Sequence, residues 1–256
     1  MSKGLGVHRW LTSAQLDLLR TDPWFGSLTS DFASHLLALA EPRRLQAGET
    51  LFLRGDPPCG LYAVLDGALR VSGGTEAGKE AILSLLDPPG WFGEVAVFDG
   101  LPRTHDVVAE SASQILHVPT AALQSLMQHM PQAWRELGVL MSLRLRLSFI
   151  NMEDQALAPA EIRLARRLLW LSQSVMAKVV EGAPCVLPVS QTQLGLMLSL
   201  SRQTTNQMLQ SLQAQGILRV SYGRIELLDR AQLIVLGRLS PVEKRILARL
   251  RPAPTS

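Results

Sequence analysis

The spacing of hydrophobic residues changes near Arg43, and this change divides the first half of the chain. Residues 9–40 carry leucines at helical intervals, interrupted by Pro23 and Gly26. Apolar residues at i, i+3 and i+4 are typical of amphipathic helices, which Pro and Gly tend to end. After Arg43, short apolar runs alternate with Gly, Asp and Pro. We therefore expect short N-terminal helices followed by strands.

The segment from Arg43 to Pro119 is predicted to form antiparallel strands. Apolar runs such as Leu61–Leu65 and Ile115–Val118 are short, and turn residues separate them at regular intervals. Asp66-Gly67 is a strong hairpin signal, because both residues accept the backbone angles of a tight turn. Short strands with regular turns favour an antiparallel barrel or jelly roll.

The helix predicted between Pro131 and Leu157 carries a narrow apolar seam. Leucines and an isoleucine recur at the a and d positions of a heptad, and only Asp154 breaks the pattern. Such a seam favours a parallel two-helix dimer, and the alternative is a helix packed on its own barrel. Ala158-Pro159 ends the pattern and marks a domain boundary. The predicted dimer residues are Leu140, Leu143, Leu147, Ile150 and Leu157.

The segment from Ser190 to Gln215 predicts a helix-turn-helix. Ser190 and Gln193 form a capping box that opens a short helix, and Ser201 caps a second helix after a tight turn. The second helix is rich in Arg, Gln and Asn, which hydrogen-bond base edges in the major groove. Residues 217–228 predict a hairpin, or wing, and an ordinary polar helical hairpin is the alternative. The predicted DNA-binding residues are Ser190, Gln191, Thr192, Ser201, Arg202, Gln203, Thr205, Asn206, Gln207 and Arg224.

Charge separates the two halves of the chain. Residues 1–159 carry 12 Lys and Arg against 17 Asp and Glu, a net charge of −5. Residues 160–256 carry 13 against 5, a net charge of +8, so this half is the candidate for nucleic-acid binding. The composition, 47% hydrophobic and 18% charged, is that of a globular protein. Without a signal-peptide core or an apolar run long enough for a bilayer, we expect a cytoplasmic protein.

Catalysis and metal binding are not expected. The sequence has no Walker loop, no Gly-x-Ser-x-Gly and no His-Glu-x-x-His, and its five histidines show no metal-ligand spacing. Two distant cysteines, Cys59 and Cys185, exclude a disulfide framework and a four-thiolate iron–sulfur site within one chain. Two free thiols are expected.

The stretch from Trp91 to His105 combines groups that suit a phosphorylated, ribose-bearing molecule. Gly93-Glu94 stands where a strand ends and a helical turn begins, and Arg103-Thr104 follows nine residues after Glu94. A guanidinium, a hydroxyl and free backbone amides bind phosphate, and a carboxylate can accept a hydrogen bond from a sugar hydroxyl. The alternative is a polar hairpin tip with a surface ion pair.

Seven different short motifs follow one another along the two halves of the chain. They are Ala47-Gly48-Glu49-x-Leu51-Phe52, Gly55-Asp56, Gly60-Leu61-Tyr62, Gly78-Lys79-Glu80, Phe92-Gly93-Glu94, Pro102-Arg103-Thr104 and Ser201-Arg202-x-Thr204. In this order, over roughly residues 25–228, they resemble the Crp/Fnr family of transcription regulators. The resemblance implies an α+β protein with an N-terminal cyclic-nucleotide-binding-type antiparallel β-roll (jelly roll), a long dimerisation helix and a C-terminal winged helix-turn-helix. The corresponding domains are residues 1–130, 131–158 and 159–256, the last with a basic tail.

The resemblance also implies roles for the stretch from Trp91 to His105. Glu94 matches the family's ribose-binding Glu, and Arg103 and Thr104 match the pair that holds the cyclic phosphate. Val71 and Leu83 fall where the purine packs, and Ser148 and Phe149 where the dimer helix presents hydroxyls to the base. Phe149 and His105 depart from the family pattern, so cyclic AMP, cyclic GMP, cyclic di-GMP and no nucleotide all stay open. The predicted ligand-binding residues are Val71, Leu83, Phe92, Gly93, Glu94, Val95, Arg103, Thr104, His105, Ser148 and Phe149.

Three hypotheses follow for the function. The first is a homodimeric regulator that binds a palindromic operator in double-stranded DNA under the control of a nucleotide second messenger. The second is a DNA-binding regulator of the same fold with a vestigial nucleotide site, in which Glu94 and Arg103 pair with each other. The third is a ligand-binding module that acts through protein partners. The loop from Lys178 to Pro184 lies where the family contacts RNA polymerase, a further expected partner.

Overall fold

The computed structural model describes residues 10–76, 78–176 and 184–249 of the chain. Contacts divide them into two units: residues up to 73 with 83–147, and residues 74–82 with those from 148 onwards. The division falls inside a long helix, whereas the sequence suggests a domain boundary near Pro159, where that helix has ended. The loop predicted to meet RNA polymerase lies, apart from Pro184, outside the described residues.

Helices at both ends of the roll build one side of the first unit. Helix α1 covers Ser13–Arg20, a 3-10 turn covers Phe25–Ser27, and α2 covers Ser30–Ala38. Helix α3 (Glu94–Asp99) lies within the roll, before its last two strands, and α4 (Thr120–His129) and α5 (Gln132–Leu157) follow the strands. Trp24, Phe25 and Trp91 are the aromatic centre of the core that these helices form with the sheet, and Trp24 donates through Nε1 to the carbonyl of Glu136 at 2.7 Å.

Two four-stranded antiparallel sheets form the roll, as the short strands and regular turns predict. The strands are β1 (Glu41–Leu45), β2 (Thr50–Phe52), β3 (Gly60–Asp66), β4 (Leu69–Gly74), β5 (Glu80–Leu86), β6 (Trp91–Phe92), β7 (Asp106–Ala109) and β8 (Ser113–Pro119). The strand orders are β1-β8-β3-β6 and β2-β7-β4-β5. The rings of Phe52, Tyr62 and Phe92 pack together in a second core.

The apolar side chains of α5 divide between the core of the first unit and the surface. Leu140 is 3% exposed and packs in that core, so it has almost no surface to offer a second subunit. Leu143, Leu147 and Ile150 are half-buried, and Leu157 is exposed. The most exposed apolar residues between them are Leu145, Phe149 and Met152. The heptad seam therefore needs correction at Leu140, since the face that contains it already packs on its own roll.

The second unit contains the predicted winged helix-turn-helix. Its elements are α6 (Ala160–Met176), β9 (Cys185–Leu187), α7 (Gln191–Leu198), α8 (Arg202–Ala214), β10 (Leu218–Ser221), β11 (Arg224–Leu227), α9 (Arg230–Gly237) and α10 (Pro241–Arg249). Strands β10, β11 and β9 form an antiparallel sheet in that order. Leu194, Leu209 and Ile225 are buried between the two helices and the wing, which is what the apolar positions of the sequence predict.

One arginine ties the end of α5 to the C-terminal helices. The guanidinium of Arg166 on α6 binds the carboxylates of Asp154 and Glu243, the second at 2.9 Å, and donates to the carbonyls of Gly237 and Arg238. Asp154 therefore departs from the heptad because it is a buried ion-pair partner. The basic tail, insofar as it is described, packs on the winged unit through these contacts and through buried Leu247.

Candidate functional site

The turn between β6 and α3 requires glycine. Gly93 has φ +98°, in the left-handed region, and caps the first turn of α3, of which Glu94 is the first residue. A Cβ at Gly93 would stand 2.8 Å from the carbonyl oxygen of Gly60 and 3.1 Å from Nη1 of Arg103. Only a residue without a side chain allows this approach of three chain segments. The site is thus assembled from the start of β3, the start of α3 and the loop before β7.

Arg103 lies buried in the roll, with 4% of its surface exposed. Its Nη1 donates to the carbonyl of Gly93 at 2.9 Å, and its Nη2 donates to the carbonyl of Gly60 at 2.6 Å and to Sγ of Cys59 at 3.1 Å. The guanidinium also stands 4.3 Å over the ring of Phe52 and 5.7 Å from that of Tyr62. We call these residues, Phe52, Cys59, Gly60, Tyr62, Gly93 and Arg103, the Arg103 cage.

The Arg103 cage leaves the guanidinium with unused hydrogen-bonding capacity. Nε of Arg103 is buried and has no partner in the described part of the chain. Glu94 is also buried, yet within the same described residues it forms no ion pair with Arg103. A buried charge without a counter-charge is costly, which makes an anion a favourable partner. The internal Glu94–Arg103 pair of the vestigial-site hypothesis is not formed.

Thr104 and His105 lie beside Arg103 in sequence and more openly than it does. Thr104 is exposed, and its Oγ1 lies 2.9 Å from Nδ1 of His105. Burial lowers the pKa of the His105 imidazole, and the charge of Arg54 lowers it further, while Asp106 acts in the opposite direction. A neutral imidazole next to a hydroxyl gives this end of the site donors and acceptors without a second fixed charge.

The other predicted ligand residues differ in what they can offer. Phe92 is a correction: its ring is buried in the aromatic core, 5.3 Å from the ring of Tyr62, and has no surface for a ligand. Val95 and Leu83 are exposed, and Val71 is half-buried on β4. Ser148 and Phe149 are exposed and belong to the second unit.

Sequence reasoning missed the acceptors of the Arg103 cage. Gly60-Leu61-Tyr62 was noticed as a motif, but nothing local indicates that the Gly60 carbonyl receives an arginine 43 residues away. The sequence predicts only that Cys59 is a free thiol. Cys59 is free, and its sulfur also contacts Arg103 and the hydroxyl of Tyr62. Burial and the hydrogen bond to Cys59 raise the pKa of the Tyr62 hydroxyl, so it remains a donor.

The second unit presents polar side chains to solvent along α8. Ser201 caps the helix by accepting from the amide of Thr204 at 3.0 Å, and Ser190 caps α7 through its capping box with Gln193. Thr205 is a correction, because it is fully buried and donates its hydroxyl to the carbonyl of Ser201. The predicted contacts that are exposed are Thr192, Ser201, Arg202, Gln203, Asn206, Gln207 and Arg224, while Ser190 and Gln191 are half-buried.

The wing is fixed to α8. Gln213 of α8 accepts from the amide of Val220 at 2.8 Å, and the wing strands pair from Leu218 to Leu227. Arg224 at the base of the tip is exposed. Tyr222, which the sequence analysis did not select, is fully exposed at the tip.

Features of other protein classes are not found in the described residues. None of their helices has the length and apolar character needed to cross a bilayer. Across residues 10–76, 78–176 and 184–249, no group of three or more His, Cys, Asp or Glu is arranged to hold a metal ion.

Comparisons with protein-family models match both units. Residues 42–130 match the cyclic nucleotide-binding domain, and residues 162–236 match the Crp-like helix-turn-helix domain. Among curated relatives, transcriptional regulator SdrP of Thermus thermophilus is 30% identical over 192 residues, which are 72% of this chain and 88% of that protein. The CRP-like cAMP-activated global transcriptional regulator of Mycobacterium tuberculosis is 24% identical, over 75% of this chain and 86% of that protein.

Solved structures show the same fold. FixK2 from Bradyrhizobium japonicum superposes with a TM-score of 0.71 at 22% identity, covering 78% of this chain and 98% of that one. The c-di-GMP responsive global regulator CLP of Xanthomonas campestris superposes with a TM-score of 0.63 at 24% identity, covering 78% of this chain and 99% of that one.

Proposed function

Because this chain belongs to the Crp/Fnr family of transcription regulators, we propose that a nucleotide second messenger bound in its β-roll controls its affinity for operator DNA. Family membership makes the chain a DNA-binding regulator with a cyclic nucleotide-binding domain. The observation that carries the nucleotide part is the Arg103 cage. Its guanidinium is buried and, among the residues that the structure describes, has no carboxylate partner and an unpartnered Nε.

The residues present fit a cyclic nucleotide in its phosphate and ribose parts. Arg103 and the exposed hydroxyl of Thr104 would hold the phosphate, and the buried Nε of Arg103 is a donor to which the described part of the chain offers no acceptor. Glu94 would accept from a ribose hydroxyl. The partly exposed Val71 and Leu83, on neighbouring strands β4 and β5, would pack against the base.

The effector is proposed as cyclic AMP, cyclic GMP or cyclic di-GMP. The Mycobacterium tuberculosis relative is named as cAMP-activated, and the Xanthomonas campestris regulator as c-di-GMP responsive. The base-facing part decides among the three, and it is here that Phe149 departs from the family pattern. Phe149 is 59% exposed on α5, so its ring keeps surface for a base or for a second subunit.

A homodimer is part of the proposal. Leu145, Phe149 and Met152 are 52%, 59% and 66% exposed and follow one another at i, i+4 and i+7 on α5. This spacing gives one apolar stripe of the kind that pairs with a second helix. In a symmetric dimer the two recognition helices would enter successive major grooves about 34 Å apart on a palindromic operator.

Helix α5 is the proposed route of coupling. It is a single helix of 26 residues whose first part belongs to one unit and whose last part belongs to the other. A ligand that changed its position would move the winged unit of each subunit. Coupling of this kind is typically about 1–3 kcal/mol, enough for roughly a hundredfold change in operator affinity.

Calorimetry with cyclic AMP, cyclic GMP and cyclic di-GMP tests the nucleotide site. We expect heat for at least one of them, and at least about tenfold weaker binding for Arg103→Lys, which keeps the charge but loses the guanidinium fork. Arg135→Ala is the matched control, because Arg135 is an exposed arginine paired only with its neighbour Glu136. If none of the three nucleotides gives heat, the regulator without nucleotide gating becomes the better hypothesis.

Operator binding by Arg202→Ala tests the DNA surface. Loss of a guanidinium that contacts a base should cost about 1–3 kcal/mol of specific affinity. Lys244→Ala, an exposed cation on α10, is the control for loss of charge alone. Unchanged specific binding by Arg202→Ala would favour the remaining hypothesis, a module that acts through protein partners.

A further inference from the structure

Cys59 directs its sulfur at the centre of the Arg103 cage. Sγ lies 3.1 Å from Nη2 of Arg103 and 3.1 Å from the hydroxyl of Tyr62, so two donors converge on one atom. A thiol sulfur is a weak acceptor, and such a convergence is found where the surrounding fold holds it in place. Cys59 is only half-buried, unlike Arg103 beside it.

The main chain at Cys59 is held from β8 and α4. Its carbonyl lies 2.8 Å from Nε2 of His117 and accepts from the amide of Thr120 at 3.4 Å. The Thr120 hydroxyl donates to the carbonyl of Pro58 at 3.2 Å. Tyr62 in turn is stacked on His117, with ring centroids 4.7 Å apart. The sulfur therefore has little freedom to move away from the guanidinium.

Cys59 differs in kind from the other acceptors of Arg103. Those that the described residues provide are the carbonyls of Gly60 and Gly93, which belong to the main chain, and the sulfur of Cys59. Neither carbonyl can be altered by substitution or side-chain chemistry, whereas the sulfur can. The thiol also adds an acceptor without adding a full negative charge that would compete with a phosphate.

We infer that Cys59 is a positioning residue for the nucleotide site, holding Arg103 in the orientation that binds phosphate. The inference rests on the proposed function. Removing the sulfur takes one acceptor from Nη2 of Arg103 and leaves it the Gly60 carbonyl, so the guanidinium is held less firmly. Adding a group to the sulfur displaces the guanidinium. Either change weakens nucleotide binding, while the winged unit, which has its own core, is unaffected.

Substitutions of Cys59 give the first test, by calorimetry with the nucleotide that the wild type binds. Loss of one hydrogen bond to a charged donor predicts that Cys59→Ala binds about threefold to tenfold more weakly. Cys59→Ser, whose hydroxyl also accepts, should stay within about twofold of wild type. Such rescue is not expected if the position only fills space. Wild-type affinity in Cys59→Ala would overturn the inference.

Alkylation gives the second test. Iodoacetamide forms a carbon–sulfur bond at Sγ while iodide leaves and the thiol proton passes to the buffer, so the side chain gains a bulky amide. The treated wild type should lose at least about tenfold in nucleotide affinity. Treated Cys59→Ser should lose none, because its remaining thiol, Cys185, lies in the other unit. Equal losses in both proteins would assign the effect to Cys185 and overturn the inference.

A third test needs no nucleotide. In urea unfolding followed by tryptophan fluorescence, the Cys59→Ala and Arg103→Lys substitutions should be non-additive, since both disrupt one contact. Additive losses would show that the contact is absent. A wild type that binds none of the three nucleotides overturns the proposed function and the ligand part of this inference together, while the unfolding experiment still decides the contact. The two failures are therefore distinguishable.

Discussion

The two arginines on which the proposed function rests lie in opposite surroundings. Arg103 in the roll is buried and already holds three acceptors, whereas Arg202 on α8 is exposed. An arginine ordered before its ligand arrives loses little side-chain entropy on binding, while an exposed one is ordered and desolvated at that moment. Folding of the roll therefore already orders the side chain of this small site. The winged unit keeps an adaptable surface, and the affinity that this surface provides depends on the partner.

The two arginines should differ most in how much their substitution by alanine lowers stability. Arg103→Ala should lower the free energy of unfolding of the first unit by about 4 kcal/mol, since the buried carbonyl of Gly60 and the half-buried carbonyl of Gly93 each lose a donor at about 1–3 kcal/mol apiece. Arg202→Ala should change stability by less than about 0.5 kcal/mol. Urea unfolding without ligand measures both values. Similar values for the two variants would break the comparison.

Two acids with raised pKa values give a second contrast between the units. Asp154 of the second unit is ion-paired with Arg166, and burial still raises its pKa. Asp22 of the first unit accepts from the amides of Trp24 and Phe25 at 3.0 and 2.8 Å, and burial raises its pKa from 3.8 to about 6 despite these bonds and the charge of Arg144.

The folded first unit therefore keeps the proton of Asp22 at a pH where the unfolded chain releases it. Its stabilising contribution is complete below about pH 4, falls as the pH rises towards about 6 and is constant above that. The fall amounts to at most about 3 kcal/mol. Urea unfolding between pH 4 and 7 should show it in the wild type and not in Asp22→Asn. A parallel pH dependence in both proteins would remove Asp22 as its source.

Residues with left-handed backbone angles occur in both the roll and the winged unit, and substituting them should change stability differently in each. Gly93→Ala combines the strain of φ +98° with a Cβ that meets the Gly60 carbonyl, and should cost about 2 kcal/mol of stability and weaken nucleotide binding. Gly100→Ala, at φ +71° with open space around it, should cost about 1 kcal/mol and leave binding unchanged. Thermal unfolding and calorimetry of both variants test whether the close contact with the Gly60 carbonyl, rather than backbone strain alone, makes glycine necessary in the Arg103 cage.

In the winged unit the same conformation is adopted by a serine. Ser199 ends α7 at φ +55° and ψ +42°, in the left-handed region that glycine adopts without strain and other residues adopt at a cost. Ser199→Gly should raise stability by about 1 kcal/mol. A gain in melting temperature with unchanged operator affinity is the expected result. A loss would mean that the serine side chain stabilises the turn in a way that its exposed position does not suggest.

How far the sequence predicts each region follows from how its residues come together. The predicted DNA contacts lie largely within residues 190–215, so helical periodicity and the two caps suffice to predict the two helices and most of their exposed side chains. The prediction that Thr205 is an exposed DNA contact is wrong. Thr205 stands at the border between the two faces of α8, where the helical period alone does not distinguish buried from exposed positions. Helix α7 approaches it closely: a Cβ added at Gly195 would stand 3.3 Å from its Oγ1.

The Arg103 cage is less predictable, because it is a product of topology. Its members come from strands β2 and β3 and from the connecting segments that contain Cys59, Gly93 and Arg103, and the antiparallel sheets bring them together. Family motifs identify Gly93 and Arg103 but give no role to Cys59. The seam of α5 has a similar difficulty: both of its faces are apolar, and only the packed roll shows that Leu140 turns inward.

The two tyrosines of the chain supply an independent reporter for each region. Tyr62 is fully buried in the Arg103 cage and Tyr222 is fully exposed at the wing tip. A reagent that nitrates accessible phenol rings should therefore modify the wing and spare the roll in the folded protein. Protection of Tyr222 by operator DNA would trace the wing at the duplex, and labelling of Tyr62 would signal that the roll has opened.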